Sequence, residues 1–179
     1  NLLSPAQAMN RSFEPLHLVN TYGAFGTVGR QRYEVVLAGT SDATLGPDTR
    51  WVEYELPCKP GDPSRRPCVL SPYHLRLDWQ MWFAAMSSAD REPWLVLLVA
   101  KLLDGDPVVK PLFARDPFPD VPPRFVRADL YRYRFTRPAE HSPDWWARER
   151  VGAYLRPLSR DDPALARFLD ASGMRRGSG

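Results

Sequence analysis

The stretch RFVRADLYRYRF, residues 124–135, decides the fold. Read with the two-residue period of an extended chain, it puts Val126, Ala128 and Leu130 on one face and Tyr131, Tyr133 and Phe135 on the other. Branched and aromatic residues of this kind suit a pleated surface. Apolar content on both faces implies a central strand near 124–136. The run before it, PFPDVPP at residues 117–123, is too rich in proline to continue regular structure.

Working outward, two earlier runs supply partners for that strand. The turn-forming Gly23, Gly26 and Gly29 lead into a β-rich run near 32–38. The segment WVEYEL, residues 51–56, alternates cleanly and places Val52, Tyr54 and Leu56 on one face of a strand near 50–57. Consecutive strands joined by a polar connection argue for antiparallel pairing. The order in which the three strands lie is open at this point.

Helical periods fill the gaps. Residues 78–88 read as an amphipathic helix with Trp79, Trp82, Phe83 and Met86 at helical spacing, where tryptophans are core residues first, and with Asp78 placed to cap its first turn. Pro93 opens a second helix near 93–104, and Gly105 ends it. Asp106 and Pro107 start a third near 107–114. A capped helix near 162–172 turns Leu165, Phe168 and Leu169 inward, with Gly173 as terminator. The expectation is an α+β fold, an antiparallel sheet packed with helices. One domain spans residues 1–173, its first 18 residues irregular, and MRRGSG at 174–179 reads as a disordered or tag-derived tail.

Composition supports a globular chain of this size. Apolar residues make up 44% and charged residues 25% of the 179, so neither disorder nor a fibrous repeat explains it. The 19 prolines are about twice the usual share and predict short elements separated by rigid connections. The net charge of +3 is spread among acids, as in Arg124, Arg127, Asp129, Arg132 and Arg134, so no nucleic-acid partner is expected. The longest apolar run, residues 94–100, falls well short of the ~20 needed to cross a bilayer. Asn1-Leu2-Leu3-Ser4-Pro5 has no signal-peptide pattern, so the chain reads as a mature or excised fragment.

Catalytic patterns are weak. There is no G-x-S-x-G elbow, and His17, His74 and His141 sit in no motif and read as structural or solvated. The glycines at 23, 26 and 29 fit neither a dinucleotide fingerprint nor a P-loop. Two cysteines and three scattered histidines assemble no zinc site, so no metal or cofactor is expected and the chain reads as a binding protein, not an enzyme. Cys58 and Cys68 bracket the loop KPGDPSRRP. Two readings stand: a disulfide, which would remove roughly 2.5–3 kcal/mol of freedom from the unfolded chain, or two free thiols in a reducing compartment. Asn10-Arg11-Ser12 is an N-glycosylation sequon. Trp145 and Trp146, flanked by Arg148 and Arg150, are the candidate partner-binding surface, because adjacent rings are hard to bury in one pocket and tryptophan and arginine are enriched at interfaces.

Several segments together resemble the lipase maturation factor family. They are VNTYGAFG (19–26), YEVVLAGT (33–40), CKPGDPSRRPC (58–68), SPYHLRLDWQMWFAAM (71–86), PPRFVRADLYRYRF (122–135) and the tryptophan pair. The likeness is to that family's C-terminal domain, and the CKPGDP and RRPC elements make it more similar to the first vertebrate-type member than to its paralogue. The resemblance implies a protein anchored in the endoplasmic reticulum membrane through segments absent here, with this domain facing the lumen. It implies a folding role, by protein–protein binding, for immature dimeric lipases: lipoprotein, hepatic and endothelial lipase. The oxidising lumen then favours the Cys58–Cys68 disulfide and a glycan on Asn10. Alternatives are a glycan-binding, lectin-like module, which calls for an aromatic-lined groove with convergent carboxylates and amides, or a general secretory chaperone with broader clients.

Overall fold

The computed structural model describes residues 31–69 and 75–173. Among them, β1 (Arg32–Thr40), β2 (Val52–Glu53), β3 (Phe125–Phe135) and β4 (Trp146–Ser159) form one antiparallel sheet in the order β2-β1-β3-β4. Helices α1 (Arg76–Ala84), α2 (Pro93–Leu103) and α3 (Pro163–Ala171) complete an α+β architecture. Apart from the first residue of β1, all these elements lie in the unit that runs from Tyr33 onward.

The central strand lies where its two-sided pattern places it, with β1 and β4 as neighbours. Val126 and Ala128 are fully buried and join Val35 and Leu37 of β1 in the core. Tyr54 and Leu56 enter the same core with Val52 packed against it, so the alternation of that run survives even though its ladder is short. Only Val52 and Glu53 pair with β1; the chain then bridges at Glu55 to Arg115 and ends at Pro57, which has no ladder donor. Gly39 makes room for this packing. A Cβ there would come within 2.6 Å of the Phe118 ring and 3.1 Å of Pro123.

Helix α2 is apolar except for the exposed Lys101, and it buries Leu95, Leu98, Val99, Leu102 and Leu103. Full burial of such a side chain stabilises by about 1.5–3 kcal/mol. Pro93 occupies its first turn, and Gly105, at φ 66°, ends it in the left-handed region. In α3, Asp162 is the N-cap, accepting from the amides of Ala164 and Leu165, while Leu165 and Leu169 are buried and Phe168 packs partly against the core.

Three expectations need correction. The helix near 107–114 is a turn followed by one 3-10 turn, Lys110–Leu112. Pro111 has no amide to donate and its ring would strike the carbonyl of Pro107 four residues back, so an α-helix cannot propagate there. Asp78 does not cap α1: Leu75 holds that position, and Asp78 is buried and accepts the Cys58 amide at 2.7 Å. Finally, α1 buries Leu77, Met81 and Ala84, leaving Trp79, Trp82 and Phe83 half-buried, and Met86, which lies beyond the end of the helix, is exposed. Its aromatic stripe is therefore not its core face.

Candidate functional site

Strands β3 and β4 form a long hairpin in which Phe135 pairs with Trp146, Tyr133 with Arg148 and Tyr131 with Arg150. The period of two thus brings rings from β3 and cations from β4 onto one face. The register shifts three times between Val126 and Tyr131, each time with an extra residue on β4. Such bulges, with Gly152 and Pro157, erase the alternation that would announce β4 in the sequence.

The cysteine loop closes over this end of the hairpin. Cys58 and Cys68 are joined by a disulfide, with Cα atoms 5.2 Å apart. Inside the loop, Asp62 accepts from the Ser64 amide and hydroxyl, which holds its carboxyl below the usual range. Arg65 donates to the carbonyls of Leu56, at 2.9 Å, and Pro57. The Pro63 carbonyl takes the amides of both Trp145 (3.0 Å) and Trp146 (3.1 Å), and the Gly61 carbonyl takes the Tyr133 hydroxyl at 2.7 Å. Next to the disulfide, Lys59 and Glu34 form a buried ion pair. Burial pushes the Asp78 carboxyl up, although the Cys58 amide and Lys59 pull it down.

The four candidate residues occupy different environments. Trp145 is 46% exposed, with the Arg66 guanidinium 6.0 Å from its ring centre. Trp146 is 4% exposed, stacked on Phe135 at 4.2 Å and edge-on to Tyr133. Arg148 makes a fork-to-fork pair with Glu53 at 2.8 and 3.0 Å, reaches the Tyr133 hydroxyl at 3.2 Å, and lies 4.8 Å from the Tyr131 ring centre. Burial opposes its charge, but the hydrogen bonds it donates to Glu53 and Tyr133 outweigh burial and hold its pKa above the ordinary value. Burial also pushes the Tyr133 phenol up to about 12, so it stays a donor to Gly61. Arg150 pairs with Asp129 at 2.7 Å, and Arg127 does so at 3.1 Å.

The pair of tryptophans therefore splits: one ring anchors the hairpin and its neighbour faces outward. Glu53, Gly61, Pro63, Arg66 and Tyr133 also build the site, and sequence reasoning did not find them. Only the paired cysteines hinted at a closed loop, and nothing in the chain says where such a loop lands. Asn10, His17 and His74 lie outside the described residues.

Among the described residues, fold and site define the class: an α+β domain with a four-stranded sheet whose β3–β4 hairpin is clasped by a disulfide-closed loop. Residues 18–156 match the family described as the lipase maturation factor C-terminal domain. The chain belongs to the lipase maturation factor family. It is 54% identical over 167 residues to lipase maturation factor 1 of Bos taurus, covering 90% of this chain and 30% of that protein, and 51% identical to the Homo sapiens counterpart over the same shares. Lipase maturation factor 2 of Rattus norvegicus is 39% identical over 97% of this chain and 25% of its own length. The chain is thus closer to these factor 1 relatives, and it spans under a third of their length. No solved structure matches.

Proposed function

We propose that this chain is the client-handling domain of a lipase maturation factor, assisting the folding and assembly of dimeric secreted lipases by holding an immature subunit. Membership of the family, at 54% identity across nine-tenths of the chain, carries this reading. The lipases implied are lipoprotein, hepatic and endothelial lipase. The domain works in the lumen of the endoplasmic reticulum, joined to membrane segments beyond this chain, and Asn10 carries a glycan there. Among the described residues, no helix is long and apolar enough to cross a membrane.

The holding surface is the end of the β3–β4 hairpin. Trp145 is its contact ring, with Arg66 beside it; Trp146, Arg148 and Arg150 fix the geometry beneath. A ring held on a stiff frame loses little freedom on binding, which favours it as an anchor. A subunit with an exposed dimer interface is prone to aggregate, and holding it until its partner arrives suppresses that route. The test is rescue of lipase secretion in cells lacking the factor, by this chain joined to a membrane anchor. Rescue that falls severalfold with Trp145→Ala supports the assignment; undiminished rescue by that folded variant removes it.

A further inference from the structure

The outer side of α1 meets the start of α2 in an open groove of about 620 Å³, lined by Arg76, Trp79, Gln80, Phe83, Glu92 and Trp94. Trp79 and Phe83 stand edge-on to each other with ring centres 5.3 Å apart. The Trp94 indole N–H donates to a Glu92 carboxylate oxygen at 2.6 Å, which fixes ring and carboxylate together. The scaffold below is rigid: Leu77, Met81 and Ala84 bury the inner side of α1, Leu95 buries the first turn of α2, and the Tyr154 hydroxyl ties β4 to the Ala84 carbonyl at 2.8 Å. Nothing in the client-holding surface uses these residues.

We infer that this groove binds a neutral oligosaccharide carried on a glycoprotein. A pyranose ring presents C–H bonds on its faces and hydroxyls around its rim. Three aromatic rings offer flat apolar surface for the first. A carboxylate that only accepts, a guanidinium that only donates and an amide that does both offer hydrogen bonds for the second. Its volume lies within the size range of small-ligand sites. Its formal charge also points to a neutral ligand: Arg76 and Glu92 balance, so a polyanion would meet Glu92 and a polycation Arg76. Open aromatic-lined grooves also seat extended peptides, but the polar groups of Arg76, Gln80 and Glu92 around these rings match a ligand with hydroxyls on every side. The glycoprotein source rests on the lumenal placement proposed above; binding of the sugar itself does not.

Calorimetric titration of the full chain with a free oligomannose glycan tests the inference. Saturable binding is expected, weakened about tenfold or more by Trp79→Ala or Trp94→Ala and unchanged by Val108→Ala on another exposed site. Should the alanine variants misfold, Trp94→Phe keeps a ring but removes the indole donor, and Glu92→Gln removes the carboxylate; each should weaken binding. A glycoprotein bearing the same glycan should bind, and lose binding after enzymatic deglycosylation. If the free glycan binds but glycoprotein capture is indifferent to deglycosylation, the glycoprotein source is wrong while the sugar site stands. Absence of saturable glycan binding by the folded chain, or binding of an aromatic-rich peptide in its place, would overturn the inference.

Discussion

The hairpin end and the helical layer are held by different forces. Around α2, cohesion comes from apolar side chains with almost no exposed surface, such as Leu95, Val99 and Leu103. At the hairpin end it comes from directed bonds: two tryptophan amides on Pro63, Tyr133 on Gly61, Arg148 on Glu53, all set by a loop with one covalent tie. Burial tolerates small shifts, because apolar contacts have no required angle. Directed bonds fix positions, and each loses its partner when the loop moves. The region proposed to meet a client is thus the one whose shape depends most on a single closure.

The largest expected effect tests whether the two tryptophans really differ. Trp146→Ala should cost about 3–5 kcal/mol of unfolding free energy by chemical denaturation, as for other buried aromatic truncations. Trp145→Ala should stay within about 0.5 kcal/mol, as exposed substitutions do. Similar costs for the two would erase the distinction between anchor and contact ring.

Next in size is the closure. Cys58→Ser with Cys68→Ser should cost roughly 2.5–3 kcal/mol. Its hydrogen-exchange signature sharpens the comparison: protection should fall at the Trp145 and Trp146 amides, which depend on the loop, while the α2 amides keep theirs relative to global unfolding. A uniform loss would show that the loop supports the whole fold rather than one end of it.

The helical layer should respond more weakly to loss of a polar contact. Asp162→Ala should cost about 1 kcal/mol as a lost N-cap. The hydrogen bond from Arg156, aided by the α3 amides, lowers the Asp162 carboxyl to about 2. Because the folded pKa lies below the unfolded one, near 3.9, this contribution is complete above about pH 4 and is lost as pH falls toward 2. Asp162→Asn keeps a capping side chain yet should flatten that acid step in a stability–pH profile.

Legibility in the sequence follows the same divide. Burial writes itself as period, so the central position of β3, the inward face of Val52, Tyr54 and Leu56, and the bounds of α2 and α3 could all be read. Directed contacts between distant segments leave no local trace. The return of the cysteine loop to Trp145, the pairing of Glu53 with Arg148 and the existence of β4, whose bulges break its alternation, could not be read. The aromatic stripe of α1 misled for a related reason: Trp79, Trp82 and Phe83 have the spacing of a buried face, but Trp79 and Phe83 line a groove completed by Glu92 and Trp94 from a later segment.

The claim that this domain grips an immature lipase is tested most directly by measuring binding of the folded Trp145→Ala chain to newly made, monomeric lipoprotein lipase against binding to the assembled dimer. The account predicts that the unaltered chain retains the monomer, releases the dimer, and loses most of its hold on the monomer when Trp145 is removed. Equal retention of monomer and dimer, or full retention by the variant, would contradict it.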